Sequence, residues 1–160
     1  VAVPIRRQII ESFVGDLSLR TGLYAITTAH GYQTDLRRVY AHGESTLKLH
    51  EYPAIRVVDR GDAATKHVGW NYYGKLLLEL WAYLRSHETD ERADELSSLW
   101  ADLCQYVEVD ETWGGLAEET IIQSGDLKQN DAGMPDAIMA AVVEIGYRTE
   151  LNNPYHTVEE

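Results

Sequence analysis

The sequence predicts an α+β fold: a mostly antiparallel sheet of about five strands with two helices packed on one face. Three observations carry this. Apolar residues recur at helical spacing in two well-separated segments. Between and after these segments, apolar residues alternate with a period of two. The connections are short, which makes successive strands antiparallel neighbours. At 160 residues, 44% of them hydrophobic, the chain is long enough to bury a core of its own. No internal repeat interrupts it, so residues 1–150 read as one domain and residues 151–160 as an irregular C-terminal tail.

In chain order, a helix over residues 4–15 comes first. Pro4 fits the first turn, Gly15 the stop, and Ile5, Ile9, Ile10, Phe13, Val14 and Leu17 make one apolar face. Residues 19–32 carry little pattern, with Gly22 and Gly31 as punctuation. A strand follows over 36–41, then a loop over 42–45 and a short strand over 54–59 led by Pro53. Residues 60–69 are polar and bare of large apolar groups, and read as a connector.

The strand over 72–85 is the most informative. Leu76, Leu78, Leu80, Ala82 and Leu84 alternate onto one face, assigned to the core. The opposite face holds Tyr73, Leu77, Trp81 and Tyr83 among charges, more apolar surface than water covers comfortably. A neighbouring element or subunit is expected there. The second helix, over 90–106, has Thr89 as its cap and Asp90 and Glu91 at its positive end. Its buried stripe is Ala93, Leu96, Leu99, Trp100, Leu103 and Val107. A turn over 110–116 contains Gly114 and Gly115, whose backbone freedom marks them as structural. Two strands, over 118–127 and 137–149, close the chain, with a protruding loop over 130–135 between them.

The formal charge of −12 argues against a protein that grips nucleic acid by its phosphates, though a wall of like charge lets DNA pass without sticking. No apolar run approaches the roughly 18 residues of a membrane span, and the first residues lack a signal-peptide pattern. A lone cysteine, Cys104, lies in the helical stripe and reads as a structural thiol from a reducing cytoplasm. Ten tyrosines and four tryptophans against a single phenylalanine favour surfaces that meet other proteins.

Patterns that carry chemistry are scarce. Six histidines (His30, His42, His50, His67, His87 and His156) are scattered without ligand spacing, so no metal is expected. There is no nucleophile elbow and no phosphate-cradling loop, and Asp59, Asp62 and Glu79 are ordinary coincidences in a chain with 26 acidic residues. Neither a cofactor nor a catalytic role is expected. The pairs Arg6-Arg7 and Arg37-Arg38 read as surface charge or, more sharply, as contacts to an acidic neighbour.

Several of these pieces, in this order, resemble the bacteriophage tail terminator family, also called minor tail or tail completion proteins. They are the amphipathic first helix, the proline-led strand entry Tyr52-Pro53-Ala54-Ile55-Arg56-Val57, and the alternating strand feeding an acidic-capped helix. To these add the turn Asp110-Glu111-Thr112-Trp113-Gly114-Gly115-Leu116 and the ending Tyr147-Arg148-Thr149-Glu150 before Asn152-Asn153-Pro154-Tyr155. The family usually has an aliphatic residue where Trp113 stands, and residues 19–31 have no counterpart in it.

The resemblance implies a non-enzymatic virion protein, assembled in the bacterial cytoplasm. It forms a ring, commonly a hexamer, that caps the tail tube, ends tube polymerisation and presents a docking face to the head connector. Implied partners are other copies of the chain, the tube protein and the connector proteins. Double-stranded DNA passes through the channel unbound, and no membrane is involved. Interface residues are then expected on the second sheet face, at Tyr73, Trp81 and Tyr83. Others are expected in two loops, at Arg60, Asp62 and His67 and at Asp131 and Met134. The alternatives are a head completion or connector adaptor protein of the neck, a tail tube subunit or, from another class, a small-molecule-binding or enzymatic α+β domain. Neck adaptors tend to be more helical, and a binding domain needs convergent polar groups in a pocket.

Overall fold

The computed structural model describes residues 3–41, 53–69, 71–85, 89–109, 112–123, 127–129, 136–150 and 153–157. It begins with helix α1 (Ile5–Val14), entered through Pro4, and Ile5, Ile9, Ile10, Phe13 and Val14 are its buried face. Gly15, at φ 76°, ends the helix, so Leu17 falls beyond it and leaves the expected stripe. The unpatterned stretch after it forms two short 3-10 turns (Gly22–Ala25 and Thr28–His30) that still bury Leu23, Tyr24 and Ile26.

Three strands precede the second helix, as the sequence predicts: β1 (Arg38–Tyr40), β2 (Ala54–Val68) and β3 (Asn71–Arg85). Helix α2 (Thr89–Val109) follows, and then four strands rather than two: β4 (Glu119–Gln123), β5 (Leu127–Gln129), β6 (Asp136–Glu150) and β7 (Asn153–Thr157). Among the described residues the sheet has seven strands, with the path β1-β2-β3-β6-β4. It is mixed: β1 runs parallel to β2, and the other pairs are antiparallel. The chain is thus α+β with two helices, as expected.

Two expectations are corrected. Residues 60–68 are not a connector but the second half of β2, paired with β3 through Lys66↔Tyr73 to Val68↔Asn71. Ladder hydrogen bonds belong to the backbone, so polar side chains do not prevent pairing. The tail is not irregular throughout, because Asn153–Thr157 adds β7 to the end of β6.

The frame is three strands of 15 residues each, β2, β3 and β6, with β3 between the other two. On its closed face, Leu76, Leu78, Leu80, Ala82 and Leu84 are buried together with Ala141, Val143 and Ile145 of β6. Both helices pack there, α1 through Ile9 and Phe13 and α2 through Leu96, Leu99 and Leu103. Tyr106 joins the helices by donating its hydroxyl proton to the Phe13 carbonyl at 2.7 Å. Asp102, buried on α2, accepts from the backbone N–H groups of Gln33 and Thr34 at 3.0 and 2.8 Å and so fixes the incoming loop. No helix among the described residues is long and apolar enough to cross a membrane.

A candidate assembly face

With both helices on the closed face, the other face of the sheet is left half-exposed. Its middle rows follow from the register. Leu77 lies beside Glu144, which faces Ile121 of β4. Glu79 lies between Val58 and Val142, and Trp81 between Arg56 and Ala140. Tyr83 and Tyr73 stand toward opposite ends of the face. Trp81, Tyr83 and Tyr73 are neither buried nor fully exposed, which is the condition expected for them from the alternating pattern.

The charges on this face are engaged with one another. Arg60 donates to Glu79 at 2.5 Å, and the Trp81 indole N–H donates to the other oxygen of the same carboxylate. The bond from Arg60, aided by that from Trp81, holds the Glu79 carboxyl below its ordinary range against the opposing effect of burial. Lys75 pairs with Glu144 at 3.6 Å, and Arg148 pairs with Glu118 at 2.9 Å while lying 5.7 Å from the centre of the Tyr73 ring. Arg148 also donates to the Tyr73 hydroxyl at 3.4 Å, and that bond foremost lowers the hydroxyl's pKa. Four cations (Arg56, Arg60, Lys75, Arg148) thus stand among five carboxylates (Glu79, Glu118, Glu119, Glu144 and, at the end of the face, Glu150) in the described side chains. Both signs of charge are thus interspersed on this face of a chain of −12. Paired charges and satisfied polar groups lower the cost of removing such a surface from water.

Asp62 is corrected from a protruding-loop contact to an internal acceptor. It accepts from Arg6 Nε at 3.1 Å, the Tyr147 hydroxyl at 2.9 Å and the Tyr72 hydroxyl at 3.3 Å. Asp59, beside it, takes both terminal nitrogens of Arg6 at 2.5 Å. The Arg6 guanidinium is held more firmly protonated by these partners, Asp59 foremost. Burial, then Asp62, pushes the Tyr147 hydroxyl well above its usual range, and burial raises Tyr72 in the same direction. This cluster ties α1 to the bulged part of β2 and closes the sheet where the aliphatic core ends. Arg6 therefore spends its charge within the chain, as Arg7 does on Glu11 at 3.1 Å. The expectation that this pair meets an acidic neighbour finds no support in these contacts.

Arg60 and His67 lie in β2 rather than in a loop, and Arg60 reaches the open face. Asp131 and Met134, with the loop over 130–135, lie outside the described residues, as do residues 42–52. Gly114 and Gly115 adopt φ 75° and 88°, the left-handed backbone expected of them, and Trp113 before them is also left-handed at φ 51°. Trp113 is buried at 5% exposure, packs at 5.0 Å against the Phe13 ring and donates its indole N–H to Thr120 at 2.8 Å. A position that is usually aliphatic in the resembled family here anchors the turn to both helices. Sequence reading missed this because its partners lie far along the chain.

Clefts of about 600, 360 and 470 Å³ open at the surface near Gly15 and Arg38, near Thr34 and Asp94, and near Arg56 and Ala41. Among the described residues, no three His, Cys, Asp or Glu side chains are grouped to hold a metal. His30 shares a hydrogen bond with Thr27 at 2.7 Å. Cys104 is half-buried rather than buried, and burial raises its thiol, which opposes thiolate reactivity. No protein-family model and no curated protein matches the chain.

Proposed function

We propose that this chain is a structural ring subunit, a bacteriophage tail terminator that caps the tail tube and presents a docking face to the head connector. The observation that carries the reading is the open sheet face. It sets aromatic and aliphatic side chains among internally paired charges on a strongly acidic protein. An ordinary wet face of an antiparallel sheet is lined by polar residues. Here Leu77, Trp81, Tyr83 and Val142 take those positions, in the aromatic-rich pattern of surfaces buried between proteins. The resemblance in the order and spacing of the sequence pieces, the left-handed double-glycine turn among them, supports the same reading. In this proposal the ring works in the virion after assembly in the host cytoplasm, and the acidic surface lets DNA through the channel.

Sizing and negative-stain electron microscopy of the purified protein test it. Single rings are expected, and Trp81→Ala should impair ring formation more than it lowers the unfolding midpoint. Long tubes would mark a tube subunit instead. Monomers at every concentration, or equal loss of stability and assembly in Trp81→Ala, would return this face to an ordinary surface.

A further inference from the structure

A head-to-tail ring needs two unlike patches on each copy, since each interface joins one patch to the other. The open sheet face supplies one. We infer that the loop of residues 15–22 supplies the second, seating Leu19 and Leu17 against the Leu77–Val142–Ile121 strip of an adjacent copy of this chain. The inference rests on the ring reading above.

The loop is braced from within. Gly15 and Gly22 meet at its base: a Cβ on Gly15 would stand 1.9 Å from the Thr21 carbonyl oxygen and 2.6 Å from Gly22 Cα. Above them, the Asp16 carboxylate accepts from the Ser18 N–H at 2.7 Å, the Ser18 hydroxyl at 2.5 Å and the Leu19 N–H at 3.2 Å. The Asp16 N–H donates to the Thr21 hydroxyl at 3.0 Å, and the Thr21 N–H donates back to the Asp16 carbonyl at 3.2 Å. Arg20 is held at φ 52°, a left-handed backbone that a non-glycine residue keeps only where its surroundings impose it.

While its polar groups bond inward, the loop turns its leucines out. Leu19 is 73% exposed and Leu17 39%. The described residues expose five large hydrophobic side chains, and two of them are in this one loop. A third is Ile121, 47% exposed, on the open sheet face. A braced loop loses little freedom on docking, so the contact it makes is not offset by ordering.

Charge selects a second copy as the occupant. Two chains of −12 repel each other over most of their surfaces. The open face intersperses cations and carboxylates in near-equal number, and the loop sets Asp16 against Arg20. Like copies therefore approach most favourably where these two patches of low net charge meet. The loop continues α1, which packs on the closed face, whereas Ile121 stands on the open one. Patches on opposite sides of one subunit join copies head to tail, a contact that makes a ring where its rotation closes.

Two exposed substitutions, Leu19→Lys and Ile121→Lys, test this through complementation. Each should leave the unfolding midpoint within a few degrees of wild type, and each should abolish rings, with association weakened about tenfold or more. Mixed in equal amounts at high concentration, they retain one good loop and one good face between them. They should therefore yield a 1:1 dimer that grows no further, measured by sedimentation. If wild type forms rings while folded Leu19→Lys forms them equally well, or if the mixture gives no dimer, the loop is not the second patch and the ring reading stands. If wild type forms no ring at any concentration, the ring reading itself falls, and this inference with it.

Discussion

Replacing Gly74 by alanine places a methyl group where the Tyr147 ring already lies. Gly74 of β3 is paired directly with Tyr147 of β6 on the closed face. A Cβ there would stand 2.6 Å from Tyr147 Cζ and 2.7 Å from Cε1 and Oη. Carbon atoms in contact sit about 3.5–4.0 Å apart, so the ring must retreat by about 1 Å. It is not free to do so, being held by the 2.9 Å bond to Asp62 and packed at 6.3 Å from the Tyr72 ring. Forced overpacking costs about 1–3 kcal/mol, and a lost bond to a carboxylate costs about 1.5–3 kcal/mol. Against this, alanine restricts the unfolded chain and returns about 0.4–1 kcal/mol. A net loss of about 3 kcal/mol is expected by urea denaturation. For a chain of this size that corresponds to a fall of about 6–12 °C in the thermal midpoint. In the background of Tyr147→Ala the obstacle is gone, so Gly74→Ala should be neutral or slightly stabilising, giving a coupling of about 2 kcal/mol or more. A single variant within about 0.5 kcal/mol of wild type, or a strictly additive cycle, would refute the reasoning.

Gly115→Val should cost about 1–3 kcal/mol from backbone strain alone, because Gly115 is at φ 88° and a Cβ there would meet nothing; Gly115→Asn should cost less, and chemical denaturation of the two variants checks the order. Glu79 titrates below its ordinary 4.5 in the folded chain, so the stability it contributes is present above that pH and is lost as pH falls through the lower folded value. Trp81 fluorescence should therefore change on acidification below pH 4.5, and Glu79→Gln should flatten that change; a transition unaltered in the variant would detach it from this carboxylate.

The parts of the fold legible in the sequence are those where burial on one face repeats without interruption. Leu76 to Leu84 alternate cleanly because β3 is central and unbroken, and each even residue meets the same core. The second half of β2 escapes such reading for a definite reason. Its register shifts between Asp59 and Asp62 and again between Asp62 and Thr65, with Gly61 at φ 83° within the first shift. The bulge slips the alternation, so Asp59 and Asp62, three residues apart, both reach Arg6. An eye following period two finds only scattered polar residues there. Asp62 itself looks like one carboxylate among many, since Arg6 and Tyr147 lie 56 and 85 residues from it in sequence. The second face of β3, by contrast, is legible as mixed, because Trp81 and Tyr83 occupy positions that solvated sheets give to polar side chains, and both are half-exposed.

The sheet's edges bear on how copies associate. A bare edge strand invites another strand and leads to open-ended growth. At the β1 edge, the Tyr24 hydroxyl accepts from the Val39 N–H at 3.1 Å and donates to the Val39 carbonyl at 3.2 Å, occupying the groups a foreign strand would pair with. On the other side, β6 is lined end to end by β5, β4 and β7, short strands of three to five residues. Pro154 in β7 has no N–H to offer, and exposed Glu119 and Gln123 flank Ile121 in β4. Edge pairing is thereby discouraged at β1 and broken into short pieces along β6, while the face keeps half-exposed Leu77, Trp81 and Tyr83. Head-to-tail association through a face closes into a ring where its rotation allows, whereas pairing of bare edges adds strand after strand.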